Sequence, residues 1–72
     1  MGEHEGLTQR EFDILRLVAR GKANAEIAAL LHIREQTVKN LLSVLLAKLH
    51  VSNRVQLAVL AVRQWPEILR DE

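Results

Sequence analysis

The stretch TVKNLLSVLLAKL, residues 37–49, is mostly leucine and valine, yet Lys39, Asn40, Ser43 and Lys48 interrupt it. At about 100° per residue, Val38, Leu41, Leu42, Leu45 and Leu49 gather on one side of a helix. Gln36, Lys39, Asn40, Ser43 and Ala47 gather on the other, with Val44 and Leu46 on the rims. The stretch is therefore an amphipathic helix over about 35–49, with a wide buried face and a narrow polar strip. That strip is unlike an ordinary solvated face, which tends to mix acids with bases. No acid occurs between Glu35 and Glu67. Amides, an ammonium and a hydroxyl suit base edges and phosphates, but they also suit water. The chemistry alone leaves both readings open.

Working outward, the segment before this helix, NAEIAALLH at 24–32, reads as a short helix with Asn24 as N-cap. Ile27, Ala28, Leu30 and Leu31 are its expected buried side. Two helices joined by so tight a turn suggest a helix-turn-helix. Upstream, LTQREFDILRLVARG carries a capping box, Thr8 with Glu11, and Leu7 stands where a hydrophobic staple begins. Phe12, Ile14, Leu15, Val18 and Ala19 recur at helical spacing. Arg16 and Arg20 sit near the C-terminal end, where the helix dipole favours cations, and Gly21 is a left-handed stop. Downstream, a fourth helix starts after Ser52 or Asn53 and ends at Trp65, because Pro66 disfavours helical geometry there. PEILRDE is a frayed tail or one more helical turn.

The fold expected is all-α: four helices with a central helix-turn-helix. A flexible tail would occupy 1–6, the domain 7–65 and a C-terminal tail 66–72. With 72 residues the core is thin, and with Phe12 and Trp65 as the sole aromatics it is aliphatic. The absence of cysteine removes disulfides, thiolate metal sites and thiol catalysis. No apolar run approaches the roughly 20 residues that span a bilayer. These features fit an intracellular protein without membrane attachment. His4, His32 and His50 have no metal-ligand spacing, the serines have no evident base, and the glycines form no phosphate loop. The reading is therefore of a non-enzyme without metal, cofactor or small-molecule ligand. A net charge of +1 counts mildly against nucleic acid, although clustering of charge matters more than its sum.

A set of residues in order along 7–64 adds to this: Leu7-Thr8, Arg10-Glu11, Gly21, Asn24, Glu26-Ile27-Ala28, Leu31, Ile33, Thr37-Val38-Lys39, Lys48-Leu49 and Asn53-Arg54. With these marks the chain resembles the DNA-binding domain of LuxR-type transcription regulators. That domain is the effector of many bacterial response regulators and quorum-sensing receptors, and some members consist of it alone. The resemblance implies sequence-specific DNA binding in the bacterial cytoplasm, with the helix at 35–49 in the major groove. It places base contacts on Lys39, Asn40 and Ser43, to which the strip adds Gln36. Phosphate contacts fall on Thr37, Lys48 and Asn24, joined by the nearby cations Arg10, Lys22 and Arg34. The fourth helix would be a homodimer surface through Val55, Val59 and Val62, on an inverted-repeat site. Glu11 and Arg54 would form a structural ion pair. Duplex DNA, a second copy and RNA polymerase are the partners this implies.

Four positions depart from the family pattern. Arg34 stands where a capping serine is usual, Leu41 where histidine is common, Val44 where a polar residue is common, and His50 where glycine is common. Leu41 and Val44 offer apolar contact to a protein partner or to a thymine methyl. The rival reading is thus a helix-turn-helix used for protein–protein interaction, with weak or no DNA binding. Salt dependence separates the two, since DNA binding weakens steeply with salt and an apolar contact does not.

Overall fold

A computed structural model describes residues 6–70. Among them the helices are α1 (Gln9–Ala19), α2 (Asn24–Leu31), α3 (Glu35–Lys48) and α4 (Arg54–Gln64), followed by a 3-10 turn, Pro66–Leu69, and no strand occurs. The all-α expectation holds. The tail expected at 1–6 lies, apart from Gly6, outside the described residues.

α1 forms where its caps require. Thr8 Oγ1 accepts from the Glu11 N–H at 3.1 Å, and Glu11 Oε1 accepts from the Thr8 N–H at 2.9 Å. Two orphan donors of the first turn are thereby satisfied. The far ends of α1, α2 and α3 share one device. A residue in the left-handed region follows each helix, and two backbone bonds fold back over the last turn. Gly21 (φ 82°) donates to the Val18 carbonyl, with Lys22 reaching Leu17. His32 (φ 58°) donates to Ala29, with Ile33 reaching Ala28. His50 (φ 56°) donates to Ala47, with Val51 reaching Leu46. The sequence reading anticipated Gly21 and His50 but not His32, where a side-chain-bearing residue occupies the tight turn between α2 and α3.

The starts of α2 and α3 differ from expectation in an informative way. Ala23, not Asn24, is the N-cap of α2. Ala23 has no side-chain acceptor, but its N–H donates to Glu26 Oε1 at 2.8 Å, half of a capping box. α3 begins after Arg34 with no side-chain cap, as the departure at that position predicted. α4 is capped by Asn53, whose Oδ1 accepts from the Gln56 N–H at 2.9 Å. Gln56 Oε1 in turn accepts from the Ser52 N–H.

The core is a single cluster. Ile14, Leu15, Ile27, Val38, Leu45, Leu57 and Ile68 are fully buried, with Phe12, Val18, Ala28, Ala61 and Trp65 nearly so. α1 packs chiefly on α4, and α2 on α3. Phe12 and Trp65 meet edge to face at 5.7 Å between ring centroids, an arrangement aromatic rings prefer. Two expectations need correction. Leu30 was placed in the core but is 55% exposed. It lies roughly 110° round the helix from the centre of the face made by Ile27, Ala28 and Leu31. The domain boundary at 65 falls short: of the two readings of the C-terminal segment the helical turn is the one found, and Pro66 starts a 3-10 turn that drives Ile68 into the core. Proline at the first position of a short helix sacrifices no hydrogen bond.

Candidate nucleic-acid interface

α2 and α3 are joined by the three residues His32, Ile33 and Arg34. The left-handed His32 reverses the chain, while half-buried Ile33 packs against the core. α3 is thereby held against α2 and α1 by Val38 and Leu45, both fully buried. Fixing those two residues inward turns the opposite side of α3 outward. Gln36, Lys39, Asn40, Ser43 and Ala47 are all exposed, and no other segment of the described chain covers them. Leu41 and Leu42 are half-buried. Val44 is 39% exposed, on the rim where its register put it. The strip, from Gln36 to Ala47, is about 17 Å long if the helix rises 1.5 Å per residue, enough to lie in a major groove.

Two of the strip's amides are joined. Gln36 Nε2 donates to Asn40 Oδ1 at 3.1 Å. The pair is one helical turn apart, where side chains meet. Lys39 and Ser43 have no partner among the described residues.

The expected phosphate contacts divide into two groups. Arg10, Arg34 and Thr37 are exposed and Lys22 half-buried. Lys48 and Asn24 are committed elsewhere. Lys48 Nζ lies 2.8 Å from Glu11 Oε1 and also donates to the Gly6 carbonyl at 3.1 Å. Asn24 Oδ1 accepts from Arg54 Nη1, whose Nη2 donates to the Lys22 carbonyl, both at 2.6 Å. The expected Glu11–Arg54 pair is therefore replaced by two separate links. Glu11 joins α1 to the C-terminal end of α3 through Lys48, and Arg54 joins α4 to the loop before α2. Charge type identified the candidates, but only the crossing of the helices decides which cation reaches which oxygen.

Glu11 is 5% exposed. Burial pushes its carboxyl up, but the Lys48 ammonium, the Thr8 N–H and the Thr8 hydroxyl outweigh this and hold it below the ordinary value of 4.5.

On α4, Val55 is 72% and Val59 49% exposed. Together with Val51, Leu60 and the aliphatic part of Arg63 they line a shallow, open groove. Val62 is half-buried against the core rather than fully displayed. No metal-ligand cluster occurs among the described residues. No helix among them is long and apolar enough to cross a membrane.

A short helix turned back by three residues onto a longer one, with the outer side of the second helix bare and free of acids along its length after the first turn, defines a helix-turn-helix domain. The comparisons place it further. A family profile described as bacterial regulatory proteins, luxR family, matches residues 5–61. The chain belongs to that family, a family of transcription regulators with a LuxR-type DNA-binding domain. It is 56% identical over 57 residues to the transcriptional regulatory protein YhcZ of Bacillus subtilis, covering 79% of this chain and 27% of that protein. It is 52% identical over 60 residues to the transcriptional regulatory protein LiaR of the same organism, covering 83% and 28%. It is 47% identical over 58 residues to the response regulator protein VraR of Staphylococcus aureus, covering 81% and 28%. The chain thus spans little more than a quarter of the length of these relatives.

Proposed function

We propose that this domain binds duplex DNA sequence-specifically to regulate transcription, with α3 in the major groove and two copies related by a two-fold axis on an inverted-repeat site. One observation carries the reading: Gln36, Lys39, Asn40 and Ser43 form an uncovered strip without a carboxylate, on a helix whose other side is locked into the core. Acids along that strip would be repelled by phosphate, whereas amides, hydroxyls and ammonium groups match base edges. Lys39, Asn40, Ser43 and Gln36 read bases. Arg34, Thr37, Arg10 and Lys22 hold phosphates, since Lys48 and Asn24 already have protein partners. The near-neutral net charge does not oppose this, because clustering of charge matters more than its sum, and Arg34 before α3 and Lys39 on its outer side are both exposed.

Val55 and Val59 on α4 form the two-fold contact. Two such domains would set half-sites about one helical turn apart, or a multiple of it. RNA polymerase is a further partner of the assembled complex.

The test is selection of bound sequences from random duplex DNA, at two salt concentrations. The reading expects enrichment of an inverted repeat and binding that weakens steeply with salt. The rival reading, a protein-interaction module, draws on the near-neutral charge and on exposed Val44 at the rim of the strip. It expects no enriched sequence and little effect of salt.

A further inference from the structure

The one hydrogen bond between side chains of the strip has a consequence for which base is read. Asn40 carries an amide that can present either end to a groove. With its carbonyl and NH2 both free, it can bond adenine in two places, giving to N7 and accepting from the N6 amino group. In this chain Asn40 Oδ1 is turned back one helical turn to accept from Gln36 Nε2. A carbonyl engaged there favours one rotation of the amide over its flipped alternative. The Asn40 NH2 group has no partner among the described residues and, on an exposed residue, is left for a contact outside the domain. Guanine offers two acceptors in the major groove, N7 and O6, whereas adenine offers one acceptor and one donor.

Resting on the DNA-binding reading above, we propose that Gln36 is a positioning residue. It orients the Asn40 amide so that its NH2 faces the groove and selects guanine over adenine at one position of each half-site. Gln36 itself keeps one N–H and its own carbonyl for a neighbouring contact. The two amides work as one reader, and the unit is sensitive to the chemistry of Gln36 rather than only to its bulk. A carboxylate at Gln36 accepts hydrogen bonds and donates none. It draws the Asn40 NH2 toward itself and turns Oδ1 to the groove, which inverts what Asn40 offers.

The experiment measures base preference at every position of the selected site for the parent, Gln36→Met, Gln36→Glu and Asn40→Ala. The Asn40 side-chain amide resonances of the free proteins are recorded alongside. The parent should favour guanine over adenine by about 5-fold or more at one position, the lower end of the discrimination a good bidentate contact gives. Asn40→Ala identifies that position by losing the preference. Gln36→Met keeps length and helix propensity but lacks the donor. It should reduce the preference there to about twofold or less, leave the other positions unchanged and shift the Asn40 amide resonances. Gln36→Glu should weaken binding to all duplexes through its charge and move the favoured base at that position toward adenine or cytosine, which carry donors. A generally damaged helix would lower affinity at all sites without changing preference at a single one. If the parent selects a sequence but Gln36→Met leaves every preference and the Asn40 resonances as they were, the inference is overturned. If the parent selects no sequence at all, the DNA-binding reading itself fails.

Discussion

Lys48 at the end of α3 and Glu11 at the start of α1 form an ion pair at 2.8 Å, with Glu11 almost wholly buried and Lys48 39% exposed. This pair links the N-terminal turn of the domain to the C-terminal end of α3. The two ends are not equivalent. Removing Lys48 leaves a buried carboxylate held only by Thr8, whereas removing Glu11 leaves a cation that can turn to water. Lys48→Met is expected to destabilise by about 1–3 kcal/mol in urea melts at neutral pH. Glu11→Gln, which retains a cap acceptor, should cost less. The double variant should cost less than the sum. By contrast, Glu11→Ala and Arg54→Ala should add within about 0.5 kcal/mol, because the two residues share no bond.

The same pair sets a pH dependence. The Glu11 carboxyl is held below its ordinary value of 4.5 in the folded domain. Its stabilising contribution is therefore complete above that value and is lost as pH falls below it, through the folded value. Urea midpoints from pH 7 down to pH 3 should fall less steeply below that ordinary value in Glu11→Gln than in the parent. Parallel curves would remove Glu11 from the explanation.

Left-handed His32 and His50 occupy the position after a helix that glycine fills most easily. His50→Gly is expected to raise stability by up to about 1 kcal/mol, the relief of positive φ offset by glycine's freedom in the unfolded chain. His50→Val should lower it by about 1–2 kcal/mol, since a β-branched residue tolerates that region poorly. Urea midpoints of the two variants read this directly. Equal midpoints would mean the turn relaxes out of the left-handed region.

Arg34 leaves α3 without a side-chain cap. Arg34→Ser is expected to stabilise the domain by about 0.5–1 kcal/mol through a new N-cap bond. The same change should reduce the salt slope of DNA binding by about one if Arg34 holds a phosphate. A gain in stability with an unchanged slope would place Arg34 outside the interface.

How much of this was legible beforehand differs by level. The helices and the two faces of α3 follow from the spacing of apolar residues, and the register placed Val38 and Leu45 inward as found. The capping box at Thr8 and Glu11 is written in four consecutive residues. The cap of α2 was misread because Asn24 is a good cap by type, and nothing local says that Arg54, thirty residues on, takes its side chain. The choice of Lys48 over Arg54 as partner to Glu11 is likewise tertiary, fixed by where helices cross. Leu30 was misplaced because a short, alanine-rich helix shows its buried face weakly in sequence. Ile68 was undervalued because a single turn after a proline gives almost no periodicity to read.

Val55 and Val59 stand exposed on α4 beside an open apolar groove. Val55→Asp together with Val59→Asp should weaken self-association in sedimentation and reduce affinity for an inverted repeat far more than for a single half-site. Stability should change little, as both side chains face solvent. A parent that stays monomeric at high concentration, with and without DNA, would argue against a two-fold contact at this helix.

The claim on which the account turns is that the outer side of α3 meets DNA. Its most direct test is the affinity of the parent, Lys39→Ala, Asn40→Ala and Ser43→Ala for the selected duplex and a scrambled one across a salt series. Asn40→Ala and Ser43→Ala should each relax preference at one position. Lys39→Ala should weaken binding, and lower the salt slope by about one if its contact is to phosphate. Three variants that bind the selected duplex as tightly and as selectively as the parent would contradict the account.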